Sequence, residues 1–181
     1  MDFFTTEITT SIIVGIGTGF VSSLSFLWFL TKMRPNMVIS EYIAIDPITL
    51  NGEVFNAYRF KVLNKTWLSS VYDIEAQLIL INFVNSDRGQ NLFLHPLELL
   101  KSKTWSLNKI DKNDTHAEYA FQFITTEDLE QKWTDADNIE LRVKAKHAFS
   151  GFSKTVKKRY YKPNNTLKNG AFRFGNTLEI S

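Results

Sequence analysis

Residues 11–31 read SIIVGIGTGFVSSLSFLWFLT, twenty-one positions without a charge. As a helix rising about 1.5 Å per residue, a run of that length crosses the roughly 30 Å hydrocarbon core of a bilayer. A secretory signal peptide would carry a basic leader, a shorter apolar core and a small-residue cleavage site. The ten residues ahead, MDFFTTEITT, hold Asp2 and Glu7 and no Lys or Arg, and the run ends in bulky Leu27, Trp28, Phe29 and Leu30. The stretch therefore reads as an uncleaved anchor. The cations Lys32 and Arg34 come directly after it, so the positive-inside rule puts the N-terminus outside and the rest of the chain beyond the span in the cytoplasm. Trp28 and Phe29 suit an interfacial aromatic belt at the cytoplasmic end. The expected organisation is a short extracytoplasmic tail (1–10), a transmembrane helix (11–31), a junction (32–36) and a cytoplasmic β-sandwich domain (37–181) on the cell membrane.

The span has a patterned face. Ser11, Gly15, Gly19 and Ser23 recur every four residues and fall on one side of a helix, extended by Thr18, Ser22 and Ser25. Small residues let helix backbones approach closely, and hydroxyls can bond across such a contact. Ile12, Ile16, Phe20, Leu24 and Leu27 face the other way, towards lipid. A single helix has no partner in its own chain, so Ser11, Gly15, Gly19 and Ser23 are expected to drive self-association.

The chain beyond Pro35 is long enough for one domain. Fifteen Phe, six Tyr and four Trp in the chain supply a core, and eight Gly and four Pro leave no long linker. The absence of cysteine suits a reducing compartment and excludes a thiol nucleophile. Net charge is only +2, but from Leu141 to Leu178 there are ten basic residues and no acidic one. Lys154, Lys157, Lys158 and Arg159 are its densest part and the candidate basic patch. A nucleic-acid surface, an anionic-lipid surface and a phosphate-bearing ligand site all have this composition. So does a pair of solvated strand faces balanced by acidic neighbours.

Alternation of period two dominates the domain. It predicts strands at about 38–45, 54–63, 71–84, 91–97, 103–109, 117–124, 139–146, 152–161 and 171–180. Asn51-Gly52 is a hairpin turn signal, and Ser86-Asp87-Arg88-Gly89 a second turn. Tyr58, Phe60 and Val62 share one face of their strand, with Arg59 and Lys61 on the other. The stretch from Thr126 to Trp133 predicts the one short soluble helix, capped by Thr125 or Thr126. Many short strands at this spacing indicate a mainly β fold, an antiparallel sandwich of the immunoglobulin-like kind.

Catalytic and metal chemistry are not expected. His95, His116 and His147 lack ligand spacing. There is no P-loop, dinucleotide fingerprint or nucleophile elbow. The acid pairs Asp135/Asp137 and Asp111/Asp114 sit in loop-like sequence. Three glycosylation patterns, at Asn64, Asn113 and Asn164, are irrelevant in the predicted orientation.

The order of these segments resembles the inward-rectifier potassium channels. Thr31-Lys32-Met33-Arg34-Pro35 is similar to the end of their inner pore helix. Tyr58-Arg59-Phe60-Lys61-Val62-Leu63-Asn64 resembles their "F-R-V-x-N" strand, and Ala76-Gln77-Leu78 their "A-x-L" strand. The segment from Trp105 to Asp111 resembles their "W-x-x-x-H-x-I-D" segment, with Asn108 in place of the histidine. Arg142-Val143-Lys144-Ala145, the stretch from Thr155 to Tyr161, and Gly170-Ala171-Phe172-Arg173-Phe174-Gly175 keep the family's order. The first membrane helix, pore helix and filter have no counterpart; Val14-Gly15-Ile16-Gly17 lies inside the continuous span. The resemblance implies the family's cytoplasmic sandwich, assembled as a tetramer, with anionic lipid at Lys32 and Arg34. It does not imply a potassium channel.

The expected function is non-enzymatic, with no cofactor: a single-pass protein that oligomerises and couples a cytoplasmic event to the membrane, as a pore-forming or membrane-perturbing effector. The alternatives are a passive anchored module, recruiting an anionic lipid, a nucleotide or a protein through its basic strands, and an accessory subunit of a membrane complex.

Overall fold

The computed structural model describes residues 2–66, 69–86, 89–111 and 113–181. The chain is built as α1 (Asp2–Lys32), β1 (Met37–Ile39), β2 (Ile43–Ile45), β3 (Ile48–Leu50), β4 (Glu53–Phe55), β5 (Tyr58–Asn64), β6 (Val71–Ser86) and β7 (Gly89–Leu97). It continues as β8 (Lys103–Leu107), β9 (Ala120–Thr125), α2 (Leu129–Lys132), β10 (Asn138–His147), β11 (Ser153–Tyr160), α3 (Pro163–Thr166) and β12 (Leu167–Asn169). This is a mainly β, sandwich-like fold with one N-terminal apolar helix.

The helix α1 begins well before the apolar run, because nothing from Asp2 to Thr10 breaks a helix: that stretch holds no Gly or Pro. From Glu7 to Lys32 it is long and apolar enough to cross a membrane, and its most apolar stretch is entirely unburied. A core helix of the same composition would be covered.

Each sheet has four positions, one of which is shared by two successive segments. In the first sheet β9 pairs along one edge of β5, from Tyr58↔Thr125 to Leu63↔Ala120. The other edge of β5 is divided between β1, at Met37↔Asn64, and β2, at Ala44↔Arg59. The expected strand 38–45 is thus one strand broken at Ser40–Tyr42. The ladder carries across the break, since Ser40 N–H donates to Lys61 O at 2.8 Å. In the second sheet β11, β10 and β6 lie in order, and the far edge of β6 is divided between β8 and β7. All these pairings are antiparallel; β12 joins β2 in parallel, Lys168 opposite Ala44.

The core lies between the sheets. Phe60 and Phe123 are directly paired in one, Leu141 and Leu78 in the other, and all four are buried. In β6 a bulge with Asp73 at φ 50° shifts the register opposite Lys144 and Lys146. That is how Val71 and Ile74, three apart, both reach the core. Trp133 fills the space after α2, its Nε1–H donating to Asp137 O at 3.1 Å. Tyr160 crosses between sheets, its hydroxyl donating to Ser40 O at 2.8 Å.

Two local expectations are corrected. The cap of α2 is Asp128, whose side chain accepts from Gln131 N–H, rather than Thr125 or Thr126. The span 171–180 is not a strand; β12 ends at Asn169 and only Phe172 and Ile180 form an isolated bridge. Gly170 starts that return at φ +122°, where a Cβ would collide with the backbone oxygen of Ser181. The hairpin between β3 and β4 is as expected, with Asn51 and Gly52 both at positive φ. Asp87 and Arg88, in the second expected turn, lie outside the described residues.

Candidate functional site

A groove of about 920 Å³ opens where β1 meets β11 and the C-terminal segment. Val38, Ile39, Glu41 and Tyr42 line it together with Lys158, Lys168, Arg173 and residues 178–180. The break after β1 is what turns Glu41 and Tyr42 out of the ladder. The parallel pairing of β12 with β2 then sets Lys168 over the Tyr42 ring, Nζ 3.4 Å from the centroid. Arg173 pairs with Glu179 at 3.2 Å, an ion pair whose side chains are both mostly exposed and readily exchanged for another anion. Lys158 makes no salt bridge among the described residues. Glu41 and Lys158 also line a neighbouring hollow of about 340 Å³ that adds Arg159 and Lys162. Three cations converge on the groove and two carboxylates share it, an arrangement suited to binding an anion.

The candidate patch Lys154, Lys157, Lys158 and Arg159 is divided by the strand pleat. Lys154 and Lys158 share the face of β11 that carries buried Tyr160, while Lys157 and Arg159 point to the outer face. There Lys157 lies opposite Arg142. Arg159 is engaged: with Arg142 it grips Glu140, at 2.7 Å and 2.6 Å. Burial by itself raises the Glu140 carboxyl, but the hydrogen bonds and charges of the two arginines outweigh it and hold the group below its usual range. The sequence missed Tyr42, Lys168 and Arg173 as partners of Lys158. The two cations belong to the acid-free run; Tyr42 carries no sequence signal for the site.

The segments that precede β1 and β11 meet at the helix exit. From β1 the chain runs back through Asn36 and Pro35 to Lys32 and Arg34. The pair separates there: Lys32 Nζ folds back 5.5 Å from the Trp28 ring, and Arg34 lies 5.9 Å from Phe152 in the domain. From β11 the chain runs back to Ser150, whose Oγ donates to Met33 O at 2.7 Å. Ser150 N–H donates to His147 Nδ1 at 3.1 Å. Burial pushes the His147 imidazole below its ordinary pKa. Asn36 N–H donates to Thr66 Oγ1 at 2.8 Å and locks the same junction from β5. Asn64 is buried there, its amide donating to Leu107 O and Asn108 O; burial alone bars it from carrying a glycan.

On α1, Ser11, Gly15, Gly19 and Ser23 are all exposed, and a Cβ built on Gly15 or Gly19 meets nothing within 4 Å. Thr18 is satisfied within the helix, its Oγ1 donating to Val14 O at 2.8 Å. Among the described residues, His, Cys, Asp and Glu form no group of three or more that could hold a metal ion.

No protein-family model matches the chain, and no curated protein matches it. Among solved structures it is similar to Spo0M, a sporulation control protein from Bacillus subtilis. That likeness has 13% sequence identity and a TM-score of 0.41, over 71% of this chain and 48% of that one. The chain thus spans about half the length of that structure.

Proposed function

We propose that this chain is a single-pass, membrane-anchored module whose cytoplasmic sandwich takes an anionic ligand in the groove and couples its binding to the membrane helix. The observation that carries the reading is that β1 and β11, which line the groove, continue directly into Asn36 and into the β10–β11 turn, where Ser150 bonds the helix exit. A ligand drawing Lys158 towards Lys168 and Arg173 pulls on both. The ligand class is a phosphate-bearing or carboxylate-bearing small molecule, a nucleotide included. The test is titration of the detergent-solubilised full chain with a fluorescent nucleoside triphosphate, competed by pyrophosphate. Lys158→Gln, Lys168→Gln and Arg173→Gln are each expected to weaken binding about tenfold, the loss of one charge-assisted contact, whereas Lys157→Gln on the outer face is not. Equal effects at all four positions, or no salt-sensitive binding, would sink the reading.

A second reading rests on the uncovered small-residue face of α1. Copies of the chain assemble through Ser11, Gly15, Gly19 and Ser23, with a tetramer favoured by the resemblance to inward rectifiers, and the assembly gates a pore or perturbs the bilayer. Gly15→Leu with Gly19→Leu is expected to convert the detergent-solubilised oligomer to monomer by sedimentation. A full chain that is monomeric without the change removes this reading and leaves the first intact.

A further inference from the structure

The turn between β10 and β11 reads Lys146-His147-Ala148-Phe149-Ser150-Gly151-Phe152-Ser153-Lys154. It is fixed to the helix exit at two places. Ser150 Oγ donates to Met33 O, one residue past the end of α1, and the Arg34 guanidinium sits over Phe152. Phe149, at the tip, is 68% exposed. Lys146 and Lys154, in adjoining register positions of the hairpin, are exposed on either side of it.

These placements set the height of the turn if α1 spans the bilayer. Trp28, at belt level, and Met33 are five residues apart, about 7.5 Å of helical rise. The headgroup layer on each side is about 5–7 Å deep. A turn bonded to Met33 therefore stands at the outer margin of that layer, within reach of an aromatic side chain directed into it. An aromatic tip between lysines is the composition that a lipid interface accepts: the ring enters among the headgroups and the ammonium groups meet phosphates.

We propose that the β10–β11 turn is a second membrane contact, in which Phe149 enters the interface beside α1 while Lys146 and Lys154 face lipid phosphates. The domain is then held at two points and cannot swing freely about its junction. The inference rests on the spanning reading of α1 and is independent of the groove's ligand. A bilayer fits the turn better than a second copy of the turn, because the flanking lysines would face their own kind across a symmetric contact.

The chain has no cysteine, so single-cysteine labelling reads the contact directly. Ala148→Cys, Asn51→Cys in the β3–β4 turn and Ile16→Cys in α1 are each introduced into the full chain. Each is labelled with an environment-sensitive fluorophore and reconstituted into phosphatidylcholine–phosphatidylglycerol vesicles carrying nitroxide lipids. The label at 148 is expected to show blue-shifted emission and several-fold stronger quenching by shallow nitroxides than the label at 51. Phe149→Ser in the Ala148→Cys chain is expected to abolish both signals without changing the circular dichroism. Quenching at 16 but not at 148 overturns the proposal alone. No quenching at 16 overturns the spanning reading and the proposal with it. A blue shift at 148 that nitroxide lipids do not quench, and that grows with protein density, assigns the turn to a contact between copies and also overturns it.

Discussion

Arg59 and Lys61 on β5 and Arg142 and Lys144 on β10 occupy matching places, each on the outer face of its sheet. Their surroundings differ. Lys61 is buried beneath the C-terminal segment, its Nζ donating to Arg173 O at 2.6 Å and Gly175 O at 2.8 Å. Burial lowers its pKa. Beside it Leu63 packs with Ala117 and Tyr119 as a small second core, with Leu178 against it. On the other sheet Lys144 stays exposed and Arg142 half-buried, held by Glu140. The same alternation of apolar and cationic residues therefore describes a covered face and an open one. What separates them is a segment more than a hundred residues away, which local periodicity cannot register.

Changes on the two faces sharpen this contrast. The largest effect is expected for Lys61→Ala, which leaves two carbonyls without their donor under the C-terminal segment. About 2–3 kcal/mol should be lost in chemical unfolding, with hydrogen exchange at 172–180 accelerating first. Glu140→Gln breaks the cluster that Glu140 makes with Arg142 and Arg159 on the open face and is expected to cost about 2 kcal/mol, measured the same way. Glu140 is held below the ordinary 4.5, so its contribution is present above that pH and fades as acid protonates it. The wild-type chain should weaken below about pH 4.5 more steeply than the Gln variant. His147, at the end of β10 where the two faces meet the junction, is pushed below 6.5. It is neutral in the fold while the unfolded chain takes up a proton. Stability should therefore fall as pH drops below 6.5, and His147→Gln should flatten that slope in urea unfolding at pH 7.5 and 5.5. Lys144→Gln, exposed and unpaired by any salt bridge among the described residues, is expected to shift stability by less than about 0.5 kcal/mol. A cost there equal to that of Lys61→Ala would mean that the open face is covered in solution.

The features legible in the sequence were those set by neighbours in the chain. Ile139, Leu141, Val143 and Ala145 alternate and form the inner face of β10; Asn51-Gly52 makes its turn because both residues tolerate positive φ. The apolar run from Ser11 to Thr31 needed only its length. The break at Ser40–Tyr42 was not legible, because it depends on Lys61 and Tyr160 bonding to Ser40 from other strands. Nor was the end of regular structure at Asn169, since Phe172 and Phe174 alternate like a strand. The candidate site was half legible. The acid-free run contained Lys158, Lys168 and Arg173, but which of its cations converge depends on the pleat of β11 and on one parallel pairing. That pairing is why Lys158 stands in the groove and Lys157 does not.

The groove joins residues just after the helix to residues near the other end of the sequence. During synthesis α1 emerges before the sandwich, and Val38 to Tyr42 follow directly behind it, before Lys158, Lys168 and Arg173 exist. Lys168 and Arg173 appear only after every other strand has been made, and contacts so distant in sequence are slow to close. The order of manufacture thus imposes an order of assembly: the apolar helix is complete before the groove has its cations.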